Sequence, residues 1–206
     1  PVDLVAWPRI ERQDMPYLTP SQIGQLMEAV APSWRLLVAF SVLGGLRKGE
    51  VLALEWSDLA DDGESLSVSV TKSLRGGVVS TPKTVSSVSR VALPASIRPL
   101  VKQRRHQAGN HPLIFCRSDG RPLPDSLPNR ILARALLAAG LPQIRWHDLR
   151  RSWAISHIVS GTDVRTLAAL GRWSSSSTLL EVYAAFLPEV GVQAVRRVDE
   201  LVNQQM

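Results

Sequence analysis

The chain has 206 residues, of which 45% are hydrophobic and 20% charged, with a mean hydropathy of +0.02, the profile of a soluble globular protein long enough to bury a sizeable core in one large domain or two small ones. Its single cysteine, Cys116, excludes an internal disulfide framework and a multi-thiolate metal site. The apolar stretch Leu36–Leu46, interrupted by Ser41, Gly44 and Gly45, is too short to span a bilayer, and no basic-then-apolar leader opens the sequence.

The net charge is +6, from 24 Lys+Arg against 18 Asp+Glu. Only four of the cations are lysines: Lys48, Lys72, Lys83 and Lys102. The charge is unevenly spread. Residues 1–64 hold 5 basic and 10 acidic side chains, residues 65–165 hold 16 and 4, and residues 166–206 hold 3 and 4. An arginine-rich middle between acidic or neutral ends suggests one basic face for a polyanion, with nucleic acid the first candidate and an ordinary solvated surface the alternative.

Taken in chain order, Pro1–Pro16 carries three prolines and little periodicity, and reads as a linker from a longer protein. Thr19-Pro20-Ser21-Gln22 has the form of a capping box with proline at the first helical position. Ile23, Leu26, Met27 and Val30 follow at helical spacing. A second helix is expected from about Ser33 to Leu43, ending at Gly44-Gly45, and a third from near Arg47. Asp61-Asp62-Gly63 signals a turn, after which Ser65–Val70 alternates polar and apolar residues at strand period. Short strands are expected at Val78–Thr81 and Ser89–Leu93, making one small antiparallel sheet. Helices return at about 99–107, 128–139, 147–160, 163–170 and 176–203, the last broken at Leu187-Pro188. The expected class is mainly α with a small antiparallel three-stranded β-sheet (α+β).

Three local patterns bear on chemistry. In Trp146-His147-Asp148-Leu149-Arg150-Arg151, His147 and Arg150 project from one helix face, where a planar guanidinium and a proton-moving imidazole together suit a phosphodiester. Alone, the pair also fits an ordinary surface. In Gly44-Gly45-Leu46-Arg47-Lys48-Gly49-Glu50, an arginine sits at a glycine-flanked helix start with Glu50 one turn on, either a positioned arginine or a cap with a surface ion pair. Tyrosine is scarce: Tyr17 near the start, and Tyr183, which is either a nucleophile helped by nearby arginines or a residue packed on a late helix.

In this order, Gly45–Glu50, Pro82-Lys83-Thr84 before Ser89-Arg90-Val91, His147-Asp148-Leu149-Arg150, Leu170-Gly171 followed by Trp173, and Tyr183 resemble the tyrosine recombinases, the phage integrases and their relatives. The resemblance runs from the Leu18-Thr19-Pro20 helix start to Tyr183. It implies that Arg47 and Arg150 grip the non-bridging oxygens of a scissile phosphate, with Glu50 supporting. Lys83 protonates the leaving 5′-hydroxyl, with Lys72 the runner-up. His147 acts as general acid/base, and Tyr183 attacks to form a 3′-phosphotyrosyl bond, with no metal, cofactor or ATP. Where most members have Gly-His, this chain has Gly171-Arg172-Trp173. Trp173 is favoured as the replacement donor because it stands ten residues before Tyr183, and Arg172 is the alternative.

The implied division is a linker remnant over 1–17, a catalytic domain over 18–187 and a helical tail over 188–206. A clamp-forming DNA-binding domain is expected upstream of the chain. The tail stripe Val190, Val192, Val195, Val198 and Leu201 either packs on its own domain or docks on a neighbouring protomer. The implied activity is site-specific recombination of double-stranded DNA by a homo-tetramer on paired sites, in the cytoplasm of a bacterium or phage-infected host and without a membrane. Two other classes stay open: a non-cleaving DNA-binding relative, and a type IB topoisomerase-like enzyme. His106, His111 and His157 read as structural or surface residues, Cys116 as a small buried one, and Trp34, Trp56 and Trp153 as core. Trp146 is expected to pack behind the site.

Overall fold

The computed structural model describes residues 16–80, 89–173 and 179, and positions 191–192, 195–196, 199–200 and 202–203 of the tail. Helix α1, Pro20–Ala29, opens with the expected box: the Gln22 N–H donates to the Thr19 hydroxyl, and the Gln22 side chain accepts from the Thr19 N–H. The second expected helix is divided. Pro32–Trp34 forms one 3₁₀ turn, and α2 runs Arg35–Val42 with every residue from Leu36 onward buried. A helix buried on all sides shows no amphipathic stripe, so its apolar run alone could not place its start.

After Gly44-Gly45 comes α3, Lys48–Ala53. Strands β1 (Leu59–Asp61), β2 (Leu66–Val70) and β5 (Ser89–Leu93) make a three-stranded antiparallel sheet in the order β1-β2-β5. Its register pairs Leu59 with Val68 and Val68 with Val91. Strands β3 (Ser73–Arg75) and β4 (Val78–Ser80) form a separate hairpin, paired Ser73 to Ser80 and closed at Gly76-Gly77. The sequence reading had therefore merged two sheets into one, placing 78–81 where β1 belongs. β1 and β3 are three residues each, too short to show an alternation of their own. The expected turn at Asp61-Asp62-Gly63 joins β1 to β2.

Helices α4 (Arg98–Gln107), α5 (Leu127–Ala138), α6 (Trp146–Val159) and α7 (Val164–Gly171) fall within a residue or two of expectation. Among the described residues, no helix is long and apolar enough to cross a membrane.

The main core lies between α1, α2, α3, α5, the three-stranded sheet and the start of α6. Leu37, Phe40, Leu52, Ile97, Phe115, Leu136 and Leu149 are at its centre. The Phe40 and Phe115 rings meet edge to face at 6.1 Å. Truncating such a buried ring to Ala costs about 3–5 kcal/mol. A second cluster (Trp153, Ile155, Ile158, Leu167 and Leu179) joins α6 to α7, with Tyr17 and Trp173 packed against it. Two turns depend on glycine. Gly45 has φ +67°, and a Cβ there would stand 2.7 Å from the Trp153 indole. At Gly49 a Cβ would meet Ser73 Oγ at 2.5 Å and the Leu74 carbonyl at 2.6 Å. The first lets α6 approach the α2–α3 turn; the second seats the β3–β4 hairpin against α3.

Candidate active site

Helices α3 and α6 start in the same way, and that shared device orients the site. At α3, the Arg47 N–H donates to Glu50 Oε2 at 2.8 Å. At α6, the Arg145 N–H donates to Asp148 Oδ2 at 2.9 Å. A carboxylate three residues into a helix, satisfying the N–H of its cap, fixes where the first turn points. Glu50 is 6% exposed and Asp148 2%, so both carboxylates act from inside the fold. Asp148 also holds Arg151 Nη1 at 2.7 Å. The backbone of its own turn is tied to the segment just ahead of α1, because Ser152 Oγ donates to the Asp148 carbonyl and accepts from the Leu18 N–H.

The two helix starts face one another across a cleft of about 410 Å³. Arg47, Lys48, Arg145, His147 and Arg150 supply its basic lining, with Leu46, Leu132, Ile144 and Trp146 as walls. Trp146 lies behind His147 as expected, buried, with its indole N–H on Ser41 Oγ at 3.0 Å. His147 is exposed. Although it reaches solvent, desolvation by its surroundings pulls its pKa below the ordinary 6.5, and the charges of Arg150, Arg151 and Arg47 act the same way against Asp148. Neutral imidazole is thus the resting form at neutral pH, able to accept a proton.

Arg47 and Arg150, equivalent in the sequence reading, occupy opposite environments. The Arg47 side chain is 46% exposed and donates from Nη1 to Glu50 Oε1 at 2.9 Å. Arg150 is 2% exposed. Its Nη1 and Nη2 donate to the carbonyls of Gly45 and Gly171, and its guanidinium lies 4.4 Å over the Trp173 ring. Burial, with Arg47 and Arg172 nearby and Glu50 opposing, lowers the Arg150 pKa to about 9, so the group stays charged at neutral pH. Two of its five guanidinium hydrogens are used by backbone, and the residue lines the cleft.

At the Gly171-Arg172-Trp173 departure, the two side chains diverge. Trp173 stacks on Trp153 at 6.0 Å and lies under Arg150. Arg172 turns to Glu50 and donates from Nη1 to Oε1 at 3.1 Å and from Nη2 to Oε2 at 2.8 Å. Burial pushes the Glu50 carboxyl up, but the hydrogen bonds and charges of Arg172 and Arg47 outweigh it and hold it below its ordinary 4.5.

The fold thus brings Arg47, Glu50, His147, Arg150 and Trp173 together, and adds Asp148 and Arg172. The capping-box spacing of Asp148 was visible in the sequence. The partner of Arg172 was not, because Glu50 lies 122 positions away. Lys83 and Tyr183 lie outside the described residues. Lys83 follows Ser80, the last residue of β4, by three positions. Lys72, the other lysine considered, is ion-paired with Glu55 at 2.6 Å. His106 is exposed, and His157 rests against Trp153 with Nδ1 3.2 Å from Thr162 Oγ1. Cys116, expected to be buried, is half-buried, and desolvation raises its thiol pKa above the ordinary value.

The profile of the phage integrase family matches residues 16–189. The chain belongs to that family. It is 27% identical to the ICEBs1 integrase of Bacillus subtilis, the match covering 98% of this chain and 59% of that protein. It is 24% identical to a XerC-like tyrosine recombinase of Caldanaerobacter subterraneus subsp. tengcongensis, over 80% of this chain and 48% of that protein. The chain spans about half the length of the curated relatives it matches. Its fold is similar to that of the Tn1549 transposon integrase solved in complex with circular intermediate DNA, with a TM-score of 0.73 at 16% identity over 84% of this chain and 64% of that one. It is likewise similar to the XerA recombinase, with a TM-score of 0.70 at 20% identity over 87% and 66%. Both are integrase or recombinase folds, which the α+β class read from the sequence anticipated.

Proposed function

We propose that this chain is the catalytic part of a site-specific DNA recombinase that cleaves and rejoins strands through a transient 3′-phosphotyrosyl bond. The convergence of Arg47, His147 and Arg150 on one cleft carries this reading. A scissile phosphate placed there meets two guanidiniums on its non-bridging oxygens, where charge grows as phosphorus becomes five-coordinate. Tyr183 attacks phosphorus, passing its phenolic proton to His147. The new bond is Tyr183 oxygen to phosphorus; the bond broken is phosphorus to the 5′ oxygen, which takes a proton from Lys83. Because one phosphodiester replaces another, the reverse attack by a 5′-hydroxyl rejoins strands without ATP, and the scheme uses no metal. Trp173, held under Arg150, supports that guanidinium from below and stands in for the usual second histidine as a donor to the phosphate.

The same reading takes residues 1–17 as the end of a linker, 18–187 as the catalytic domain and 188–206 as a docking tail in a tetramer on paired DNA sites. Val192 and Val195 of the tail are 56% and 71% exposed, which supports docking on another protomer over packing at home. Double-stranded DNA in the cytoplasm of a bacterium or an infected host is the substrate.

The test is a covalent trap. A pool of nicked duplexes with randomised sequence around the nick, incubated with the protein in EDTA, should yield a protein–DNA adduct that survives denaturation. Tyr183→Phe should abolish it. An adduct that persists in that variant, or one that forms only when a divalent metal is added, overturns the mechanism.

A further inference from the structure

We infer that Arg172 is a positioning residue for the phosphate clamp, coupling the end of α7 to the orientation of Arg47 through Glu50. The inference rests on the proposed function. Its first observation is backbone conformation: Arg172 closes α7 at φ +56°, ψ +42°, and among the described residues it alone has positive φ without being glycine. That left-handed region suits glycine, and a side chain there carries strain that the surroundings must offset.

The second observation is what the side chain does. Its fork closes on both oxygens of a carboxylate that is nearly buried, in an ion pair exposed by only 15% and 7% on its two sides. Its Nε is buried without a hydrogen-bond partner among the described residues, so the geometry favours the Glu50 fork over full satisfaction. Glu50 in turn holds both the N–H and the Nη1 of Arg47. One residue earlier, the Gly171 carbonyl accepts from Arg150. The end of α7 is therefore joined to both clamp arginines, by backbone to Arg150 and through Arg172 and Glu50 to Arg47. The chain that leaves this junction reaches Tyr183 after eleven residues. A glycine would relax the backbone at 172 but break the link; a lysine would keep a charge without the planar fork.

Arg172→Gly separates these effects, since it keeps the left-handed turn while deleting the guanidinium. With the duplex selected in the covalent trap, single-turnover cleavage should fall by about 10- to 100-fold, the scale of a misplaced clamp. DNA affinity should stay close to wild type, while the melting temperature should fall, because relaxing the left-handed backbone only partly offsets the loss of a nearly buried ion pair. Arg172→Lys should recover only part of the rate. In an Arg47→Ala background, Arg172→Gly should cost little more, because its effect passes through Arg47. Guanidinium NMR gives a readout that does not depend on cleavage: the Arg47 Nη signals should be restrained in wild type and averaged in Arg172→Gly. Full cleavage by Arg172→Gly, a loss fully additive with Arg47→Ala, or an unchanged Arg47 spectrum overturns the inference. If wild type forms no adduct, the proposed function fails, and the NMR comparison still decides the role of Arg172. Should Arg172→Gly fold poorly, Arg172→Gln replaces it in every arm.

Discussion

The cleft and the β3–β4 hairpin stand side by side and are built on opposite principles. At the cleft, the two arginines proposed to grip the phosphate are fixed by interior atoms: Arg150 by two carbonyls and a tryptophan face, and Arg47 by a buried carboxylate that also holds Arg172. The hairpin projects outward. Val78 and Val79 are 68% and 50% exposed, and Leu74 is its one buried residue. It is anchored by the close fit of β3 on Gly49 and by Asp125, whose carboxylate accepts from the Gly76 N–H at 3.3 Å and ion-pairs with Lys48 at 3.5 Å. Groups that must be pre-aimed at developing charge gain from over-determination. An element with few buried contacts opens locally at low cost and can adjust to what it meets.

The strongest break in that comparison is at the arginines. Arg47→Ala and Arg150→Ala should each lose about 3–4 kcal/mol of transition-state stabilisation in single-turnover cleavage. Only Arg150→Ala should also lose fold stability, by about 1–3 kcal/mol, because it strands two buried carbonyls. Equal destabilisation of the two variants in thermal unfolding would show that exposure does not separate them.

Next comes His147. His147→Gln should slow cleavage by about 100-fold or more if the imidazole takes the tyrosine proton. Because its pKa is lowered, the wild-type rate should hold through pH 6.5 and fall only below it, and the variant should lack that limb. Stability follows the same sign: the contribution from this neutral His147 is full above 6.5 and is lost as pH falls through the lower folded value. A limb centred above 6.5 contradicts this assignment.

Gly49→Ala sharpens the boundary between the two regions. Its Cβ would push Ser73 and Leu74 away from α3, at about 1–3 kcal/mol of overpacking measured as a shift in the urea midpoint. The smallest effect is expected at the hairpin surface, where Val79→Thr should change stability by less than about 0.5 kcal/mol. A larger loss there would mean that the hairpin is packed more firmly than its exposure indicates.

Much of the helical layout was legible in the sequence, because capping residues, helix-period spacing and the Gly-Gly stop are local signals. The Thr19–Gln22 box and the starts of α5, α6 and α7 needed nothing from the rest of the chain. The His147–Arg150 face was legible for the same reason, since residues three apart on a helix share a side. The sheet was not: β1 is three residues long, none of them buried, and is held to β2 by backbone pairing, and the two short strands of the hairpin carry no period long enough to read. The sequence by itself determined the family-like order of motifs and the candidate residues proposed for the chemistry. Only the tertiary structure decided that Arg47 stands half exposed while Arg150 is buried, and that Arg172 turns away from the cleft to Glu50. The burial of Arg150 and the turn of Arg172 depend on partners as far as 105 and 122 positions away, joined by burial, which leaves no mark on local spacing.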